Sequence, residues 1–194
     1  MAGCKISSGI TTPACTDRFS SPGINREDIW VFNHSEISAY GAGAQTGEIS
    51  SLTFSPSYET GFAVAIHKNS GQFVEELQTS EEAAPFYNQT FSARIIANDT
   101  DTRNAIEDMV DVDLVIVFKQ KNGKFRIIGE TGGVKLTEQT YDTGKTAGDA
   151  VGDTLVFTGV ENNKLRTMLD NDFINILFQC IEIDLRRGEP GNIT

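Results

Sequence analysis

Carboxylates are plentiful in this sequence and several are adjacent: Glu75-Glu76, Glu81-Glu82 and Glu107-Asp108, followed by Asp111 and Asp113. A glycosidase needs two carboxylates that face each other across the bond to be cleaved. Neighbouring residues on a strand point to opposite faces, so Glu75 and Glu76 cannot serve one site. We therefore expect these acids to form a solvated surface.

Neither the two histidines nor a run that is similar to a phosphate-binding loop provides a stronger candidate for a functional site. His34 and His67 lie outside any nucleophile motif of the kind that a catalytic triad requires. The run Gly144-Lys145-Thr146 is similar to the end of a phosphate-binding loop, but Gln139 stands where that loop needs its first glycine. Neither pattern predicts a catalytic or nucleotide-binding site.

The sequence also lacks the ligand patterns of metal sites. Cys4, Cys15 and Cys180 form no C-x-x-C pair and have no neighbouring histidine, which argues against structural zinc. The run Asp99-Thr100-Asp101 lacks the glycine of a calcium loop. A Cys4–Cys15 disulfide is conceivable, although reduced thiols fit better with a start that shows no export signal. We therefore expect no catalytic residue, no cofactor, no metal and no enzymatic activity.

Composition and charge limit the classes of partner. Hydrophobic residues make up 39% and charged residues 22% of the 194 residues, which is typical of a globular domain. The chain has 27 Asp and Glu residues and 16 Lys and Arg residues, which gives a formal charge of −11. This charge argues against a protein that binds nucleic acid through its phosphates. No apolar run is long enough to span a bilayer, so no membrane insertion is expected.

Three regions follow from the pattern along the chain. Residues 1–28 are rich in Ser, Thr, Gly and Pro, which predicts an extended N-terminal arm. Residues 29–160 alternate apolar and polar side chains over many short runs, which predicts a mainly β domain, a β-sandwich or β-barrel. In residues 161–194, Leu165, Met168, Leu169 and Phe173 fall at helical spacing, which predicts a C-terminal helical segment before a loose tail.

Individual elements of the β domain can also be predicted. Residues 61–68 and 72–79 flank the turn sequence Asn69-Ser70-Gly71 and are predicted to form a hairpin. Asn122-Gly123 between two apolar runs is the strongest hairpin signal in the chain. The one internal helix is expected at about residues 100–111, and the other predicted strands are 29–33, 48–54, 87–97, 112–120, 125–129, 134–137 and 154–160.

The order of these segments resembles a family of tail structural proteins from phages and prophages of gut Bacteroidetes, including the crAss-like phages. The resemblance rests on the spacing of Cys4, Gly9-Ile10, Cys15 and Gly23-Ile24, and on the segments 69–77 (NSGQFVEEL), 102–109 (TRNAIEDM), 114–119 (LVIVFK) with 122–125 (NGKF), 140–144 (TYDTG) and 154–159 (TLVFTG). It covers the chain up to about Val160. The stretch from Asn162 to Thr194 is longer and more helical than the family pattern.

This resemblance implies a virion protein of the tail-tube or tail-ring type, assembled in the host cytoplasm. Copies of the chain would form a closed ring around the channel through which the genome leaves, without binding the DNA specifically. The ring would contact neighbouring tail or portal-proximal virion proteins. Acidic residues suit such a conduit because they repel phosphates.

Two other functions remain open from the residues alone. One is a monomeric β-sandwich binding module, for example for cell-surface glycans. That module would be expected to display aromatic side chains, yet Trp30, the only tryptophan, lies in an apparently buried strand. The other is a carboxylate-based hydrolase, for which no pair of acids is placed by the sequence.

Overall fold

The computed structural model describes residues 23–55, 61–79, 84–95, 99–146 and 151–168. In chain order the elements are β1 (Ile24–Asn33), a 3₁₀ turn (His34–Glu36), β2 (Ile37–Ala42), β3 (Glu48–Phe54), β4 (Phe62–Ala63), β5 (Gln72–Gln78), β6 (Phe86–Arg94), α1 (Thr100–Asp108), β7 (Leu114–Gln120), β8 (Phe125–Ile128), β9 (Lys135–Asp142), β10 (Gly152–Glu161) and β11 (Arg166–Met168). The prediction of a mainly β domain with one internal helix is therefore confirmed for the described residues.

The described strands form two sheets rather than a closed barrel. The large sheet has the order β2-β3-β11-β8-β7-β1-β4, and the small sheet has the order β5-β6-β10-β9. All pairs are antiparallel except β11 with β3, which run in parallel. The chain passes from one sheet to the other four times, after β4, β6, β8 and β10.

One core lies between the two sheets. The large sheet contributes Val31, Ile116 and Phe118, and the small sheet contributes Phe91 and Phe157. The ring of Phe91 lies 5.5 Å from that of Phe118 across the layer. The alternation of apolar residues along each strand turns these side chains to one face, which is the pattern of a sheet that covers a core.

A second core fills the opposite face of the large sheet. Along each of these strands, residues that face the second core alternate with residues that face the first; they are Trp30, Phe32, Val117 and Ile127. Ile49 and Leu52 of β3 and Met168 of β11 cover them. The large sheet must therefore curve, since β3 belongs to the same sheet as the strands it covers. Strand β7 is consequently buried on both faces from Leu114 to Phe118, which explains its continuous β-branched run.

The helix α1 begins at a conventional cap. The Asp99 carboxylate accepts a hydrogen bond of 2.8 Å from the backbone N–H of Thr102, and this bonding lowers the pKa of Asp99. Ile106 is the buried residue of the helix. The predicted end near residue 111 is corrected to Asp108, because Asp111 has a left-handed φ of 63° that no helix accommodates.

The hairpin predicted from residues 61–68 and 72–79 is wrong. Strand β4 pairs with β1 in the large sheet, whereas β5 pairs with β6 in the small one. Asn69 has a φ of 63°, and the Ser70 hydroxyl donates to the His67 carbonyl at 2.8 Å and accepts from the Arg94 N–H at 3.2 Å. The turn sequence is thus used to pass the chain between sheets.

The structure differs from the predicted region boundaries near both ends of the chain. Residues 24–28, assigned to the N-terminal arm, belong to β1, where Ile24 is buried and pairs with Gln120. At the other end, β10 extends to Glu161 and Arg166–Met168 form β11. The predicted helix is therefore wrong at Leu165 and Met168, and residues 169–194, like residues 1–22, lie outside the described residues.

The Asn122-Gly123 hairpin is confirmed. It joins β7 to β8, and Gly123 takes a φ of 87° that suits glycine. The Gln120 N–H donates to the Lys124 carbonyl at 2.9 Å, which closes the turn. Strand β9 is longer than predicted, because the polar residues up to Asp142 pair along β10.

Candidate functional site

Three carboxylates lie together where the chain passes from β10 of the small sheet to β11 of the large sheet. Glu161 ends β10 and is only 3% exposed, Glu75 lies on the inner face of β5, and Glu130 follows β8. We call this group, with Gln89 of β6 and Arg166 of β11, the polar seam. It brings together residues of β5, β6, β10, β11 and the turn after β8.

Hydrogen bonds across the polar seam hold the two sheets to each other. Glu161 Oε1 accepts from the Thr131 N–H at 2.8 Å, which ties β10 to the turn after β8. Glu75 Oε1 accepts from the Leu165 N–H at 2.6 Å and from Gln89 Nε2 at 3.2 Å. Charged acceptors such as these make stronger hydrogen bonds than neutral ones.

One ion pair completes the polar seam. Arg166 Nε lies 2.9 Å from Glu130 Oε2, with both side chains largely buried. Burial raises the pKa of Glu130 and nearby Glu161 raises it further, while Arg166 opposes both. Burial also raises the pKa of the Tyr40 phenol well above its usual value, with Glu130 and Glu161 adding to the effect.

The contacts of the polar seam favour a structural role over acid–base chemistry. Glu75, Glu130 and Glu161 each already accept a hydrogen bond or an ion pair from within the chain. A general acid or base needs its proton site directed to a substrate. We therefore assign the polar seam the role of holding the two sheets against each other.

A groove of about 500 Å³ lies beside the polar seam, on the outer face of the small sheet. Glu76, Asn88, Thr90, Thr137 and Thr158 line its floor. This set, together with Gln89, Gly159, Val160 and the wall described next, is called the outer groove. Its volume is that of an ordinary small-molecule site.

The wall of the outer groove comes from loops of the large sheet. Asp113, Gly132 and Gly133 line it, and Lys135 Nζ lies 3.6 Å from Asp113 Oδ1 across its edge. Gln89 lines the groove as well as a small gap in the polar seam. The Gln89 side chain lies on the inner face of β6, where it bonds to Glu75, so the two sites share this residue but lie on opposite faces of the strand.

The structure does not bring the acids considered from sequence into one site. Glu107, Asp108, Asp111 and Asp113 are exposed, as expected, and Glu76 is exposed on the outer face. Glu75 contradicts the expectation of a solvated acid, because it is half-buried between the sheets and bonded to Leu165. Glu81, Glu82 and the three cysteines lie outside the described residues.

The histidines lie in separate turns. His34 opens the 3₁₀ turn with Nε2 3.1 Å from the Glu130 carbonyl, and His67 precedes the turn into β5. Gly144, Lys145 and Thr146 follow the end of β9. Trp30 is 9% exposed, so the described surface does not use it as an aromatic platform.

The sequence analysis did not single out Glu130, Glu161 or Arg166. Their proximity depends on pairing between strands that are far apart in the chain. One signal was present: Leu155, Phe157, Gly159 and Glu161 occupy successive inward positions of β10, where a glycine and a glutamate are out of place in an apolar core.

The described residues carry neither a metal cluster nor a spanning helix. Within them no three His, Cys, Asp or Glu side chains are grouped so as to hold a metal ion. No helix in those ranges has the length and apolarity to cross a membrane. Comparison with protein-family models, with curated proteins and with solved structures finds no match to this chain.

Proposed function

We propose that this protein is a virion structural protein of a phage tail, and that its copies form a closed ring around the genome channel. The family resemblance set out above supports this function. The observation that carries it is structural: the small sheet ends on two long, unlike edges, β5 (Gln72–Gln78) and β9 (Lys135–Asp142). A ring needs two unlike surfaces on each subunit.

Strand direction makes these edges complementary. The four strands of the small sheet alternate in direction, so β5 and β9 run opposite ways. Rotation about a ring axis keeps each strand's direction along that axis, so β9 of one subunit beside β5 of the next would form an antiparallel ladder. Pairing of this kind covers backbone groups that an edge leaves open.

The edges also carry features that limit pairing to a matched partner. Strand β9 has a bulge near Leu136 and exposes Lys135, Glu138 and Asp142. Strand β5 turns Glu75 inward. Bulges and charges of this type prevent indiscriminate edge-to-edge association, so they favour a specific neighbour over open aggregation.

The charge distribution supports a channel for DNA. Between residues 99 and 113 there are six acids and one arginine, and these acids are exposed on α1 and the loop after it. Such a surface repels phosphates and so would let the genome pass without sticking. The acidic surface of α1 is our candidate for the part that faces the channel, and neighbouring tail or portal-proximal proteins would contact the ring faces.

Native mass spectrometry and electron microscopy of the purified full chain test the proposal. The expected result is an annulus with one defined subunit number. The double variant Val74→Glu and Thr140→Glu places like charges on β5 and β9 and should reduce the annulus to monomers. The control Ser35→Glu and Thr53→Glu adds the same charge to exposed residues of the turn before β2 and of β3 and should assemble normally.

Two outcomes contradict the proposal in different ways. A wild-type chain that stays monomeric at every concentration removes the ring and leaves the monomeric binding module as the function to test. Normal assembly of the β5 and β9 variant keeps a ring but removes these edges as its contact.

A further inference from the structure

We propose that the small gap in the polar seam binds one water molecule, which donates a hydrogen bond to Gln89 Oε1. The gap lies between the two sheets: Gln89 and Glu161 line it from the small sheet, and Ile127 and Ile128 line it from β8 of the large sheet. None of these residues belongs to β5 or β9. The proposal therefore concerns the single subunit and is independent of ring assembly.

The hydrogen bond to Glu75 fixes the direction of the Gln89 amide. Gln89 Nε2 lies 3.2 Å from Glu75 Oε1, and a carboxylate oxygen accepts hydrogen bonds but does not donate them. The amide nitrogen must therefore face Glu75, because an amide turned the other way would place two acceptors together. Gln89 Oε1 is consequently directed away from Glu75.

Gln89 Oε1 is a buried acceptor that needs a donor. Gln89 is only 2% exposed, and its Oε1 has no hydrogen-bond partner among the described residues. Buried polar atoms in proteins are mostly paired, either with protein groups or with ordered water. Since Gln89 lines the gap, a donor inside the gap is the group that this oxygen lacks.

The size of the gap selects the smallest donor. Its free volume is about 10 Å³. A site for one water needs about 10–15 Å³ of such volume, together with two to four polar partners. The gap therefore has room for a single water molecule and not for a sugar, a nucleotide or a peptide side chain.

The polar groups around the gap can complete the hydrogen bonding of a water. Glu161 Oε1 accepts one bond, from the Thr131 N–H, and a carboxylate has about four acceptor sites. A water that donates one hydrogen to Gln89 Oε1 can therefore donate the other to Glu161. Asn163 and Lys164 line the gap from its exposed side and offer N–H donors to the water oxygen.

The charges around the gap favour a neutral guest over a metal ion. Two acids, Glu130 and Glu161, and two bases, Lys164 and Arg166, line it, so their formal charges cancel. Arg166 already pairs with Glu130 at 2.9 Å. In the part of the chain that the structure describes, no three His, Cys, Asp or Glu side chains are grouped so as to hold a metal ion. Water is the neutral donor of this size.

NOE and ROE spectra between water and the isotope-labelled full chain test the proposal. A water that stays bound for longer than the tumbling time of the protein gives NOE and ROE cross-peaks of opposite sign, whereas surface water gives peaks of the same sign. The probes are the Hα protons of Gly129 and the methyl groups of Ile128, which line the gap and do not exchange with solvent. We expect cross-peaks of opposite sign between water and at least one of these groups.

Three substitutions separate water from other donors. Gln89→Met keeps a side chain of similar length but removes the acceptor, so the cross-peaks of the bound water should be lost. Gln72→Met makes the same change at an exposed position of β5 and should leave them unchanged. Lys164→Met removes an ammonium group that could itself donate to Gln89, and the cross-peaks should remain.

A crystal structure of the wild-type chain gives a second readout that needs no variant: one water within hydrogen-bond distance of Gln89 Oε1. The proposal is overturned if the wild type shows no bound-water cross-peaks, if Gln89→Met retains them, or if Lys164→Met loses them. It is also overturned if the midpoint of thermal unfolding differs between sodium, potassium and choline chloride at equal ionic strength, since that result would identify a cation. None of these results bears on ring formation.

Discussion

Two successive inward positions of β10, Gly159 and Glu161, set the geometry around the outer groove. A Cβ at Gly159 would lie 2.7 Å from Val134 Cγ1 and 2.8 Å from the Gly133 carbonyl oxygen. The absence of a side chain therefore lets the turn after β8 approach β10 closely. Glu161 then fastens that turn through the Thr131 N–H. One residue permits the approach, and the other holds it.

At the residue scale, Glu130→Gln should change how stability depends on pH. Burial raises the pKa of Glu130 above its ordinary value of 4.5. A carboxyl with a raised folded pKa adds stability that is fully present below the unfolded pKa and is lost as pH rises through the folded pKa. The wild type should therefore lose stability relative to Glu130→Gln as pH rises from the acid range to neutrality.

Urea unfolding of both proteins across that pH range checks the sign. Other titrating groups, including Asp99 with its lowered pKa, act equally on both proteins and cancel in the difference. A constant difference would show that Arg166 cancels the effect of burial on the pKa of Glu130, and one that moves in favour of the wild type as pH rises would show that Arg166 dominates.

For single residues, the sequence predicted which face of a strand a side chain lies on better than it predicted which residue that side chain contacts. Alternation along residues 87–97 placed Gln89 on the same side as Phe91 and Ala93, and all three are buried. It could not show that Gln89 meets Glu75, because that contact needs β5 and β6 to pair. Glu75 was expected in solvent because charge predicts exposure, but the N–H of Leu165, 90 positions away, makes its burial tolerable.

At the scale of elements, the short strand β11 connects two parts of the large sheet. It lies between β3 and β8, with Met168 opposite Ile49 on one side and Phe125 on the other. The Thr167 N–H also donates to the Gly47 carbonyl at 3.0 Å. The β2–β3 hairpin joins the rest of the sheet through these three residues.

Met168→Ala should therefore lower the free energy of unfolding by about 2–5 kcal/mol, because it opens a cavity in the second core. Met168 is 2% exposed. Lys164→Ala, an exposed position four residues earlier, is the control and should change stability by less than about 0.5 kcal/mol. Denaturant unfolding measures both. An equal effect of the two changes would mean that β11 contributes little to the sheet.

Turn sequences predicted the secondary structure correctly where the fold of that segment depends only on residues that are close in sequence. Asn122-Gly123 forms a hairpin because its turn and the two strands beside it are consecutive. Asn69-Ser70-Gly71 has similar residues, yet the outcome depends on Ser70 bonding to distant Arg94, so the same type of signal marks a passage between sheets. Arg166–Met168 is a strand for the same reason, since its partners β3 and β8 are remote in sequence.

At the scale of the whole molecule, the net charge should govern assembly. Each subunit carries a formal charge of −11, so copies repel one another at low ionic strength. The Debye length falls from about 10 Å at 0.1 M salt to about 3 Å at 1 M. The fraction of protein in the proposed ring should therefore rise with sodium chloride, as measured by sedimentation velocity. Dissociation by salt would instead indicate that ion pairs hold the interface.

The position of β11 has a consequence for biosynthesis. The ribosome makes β3 and β8 well before Arg166–Met168, yet the two strands meet in the sheet only through that later stretch. The curved sheet thus stays incomplete while most of the polypeptide has already emerged. The β2–β3 hairpin can therefore join the rest of the large sheet only once translation has passed this point.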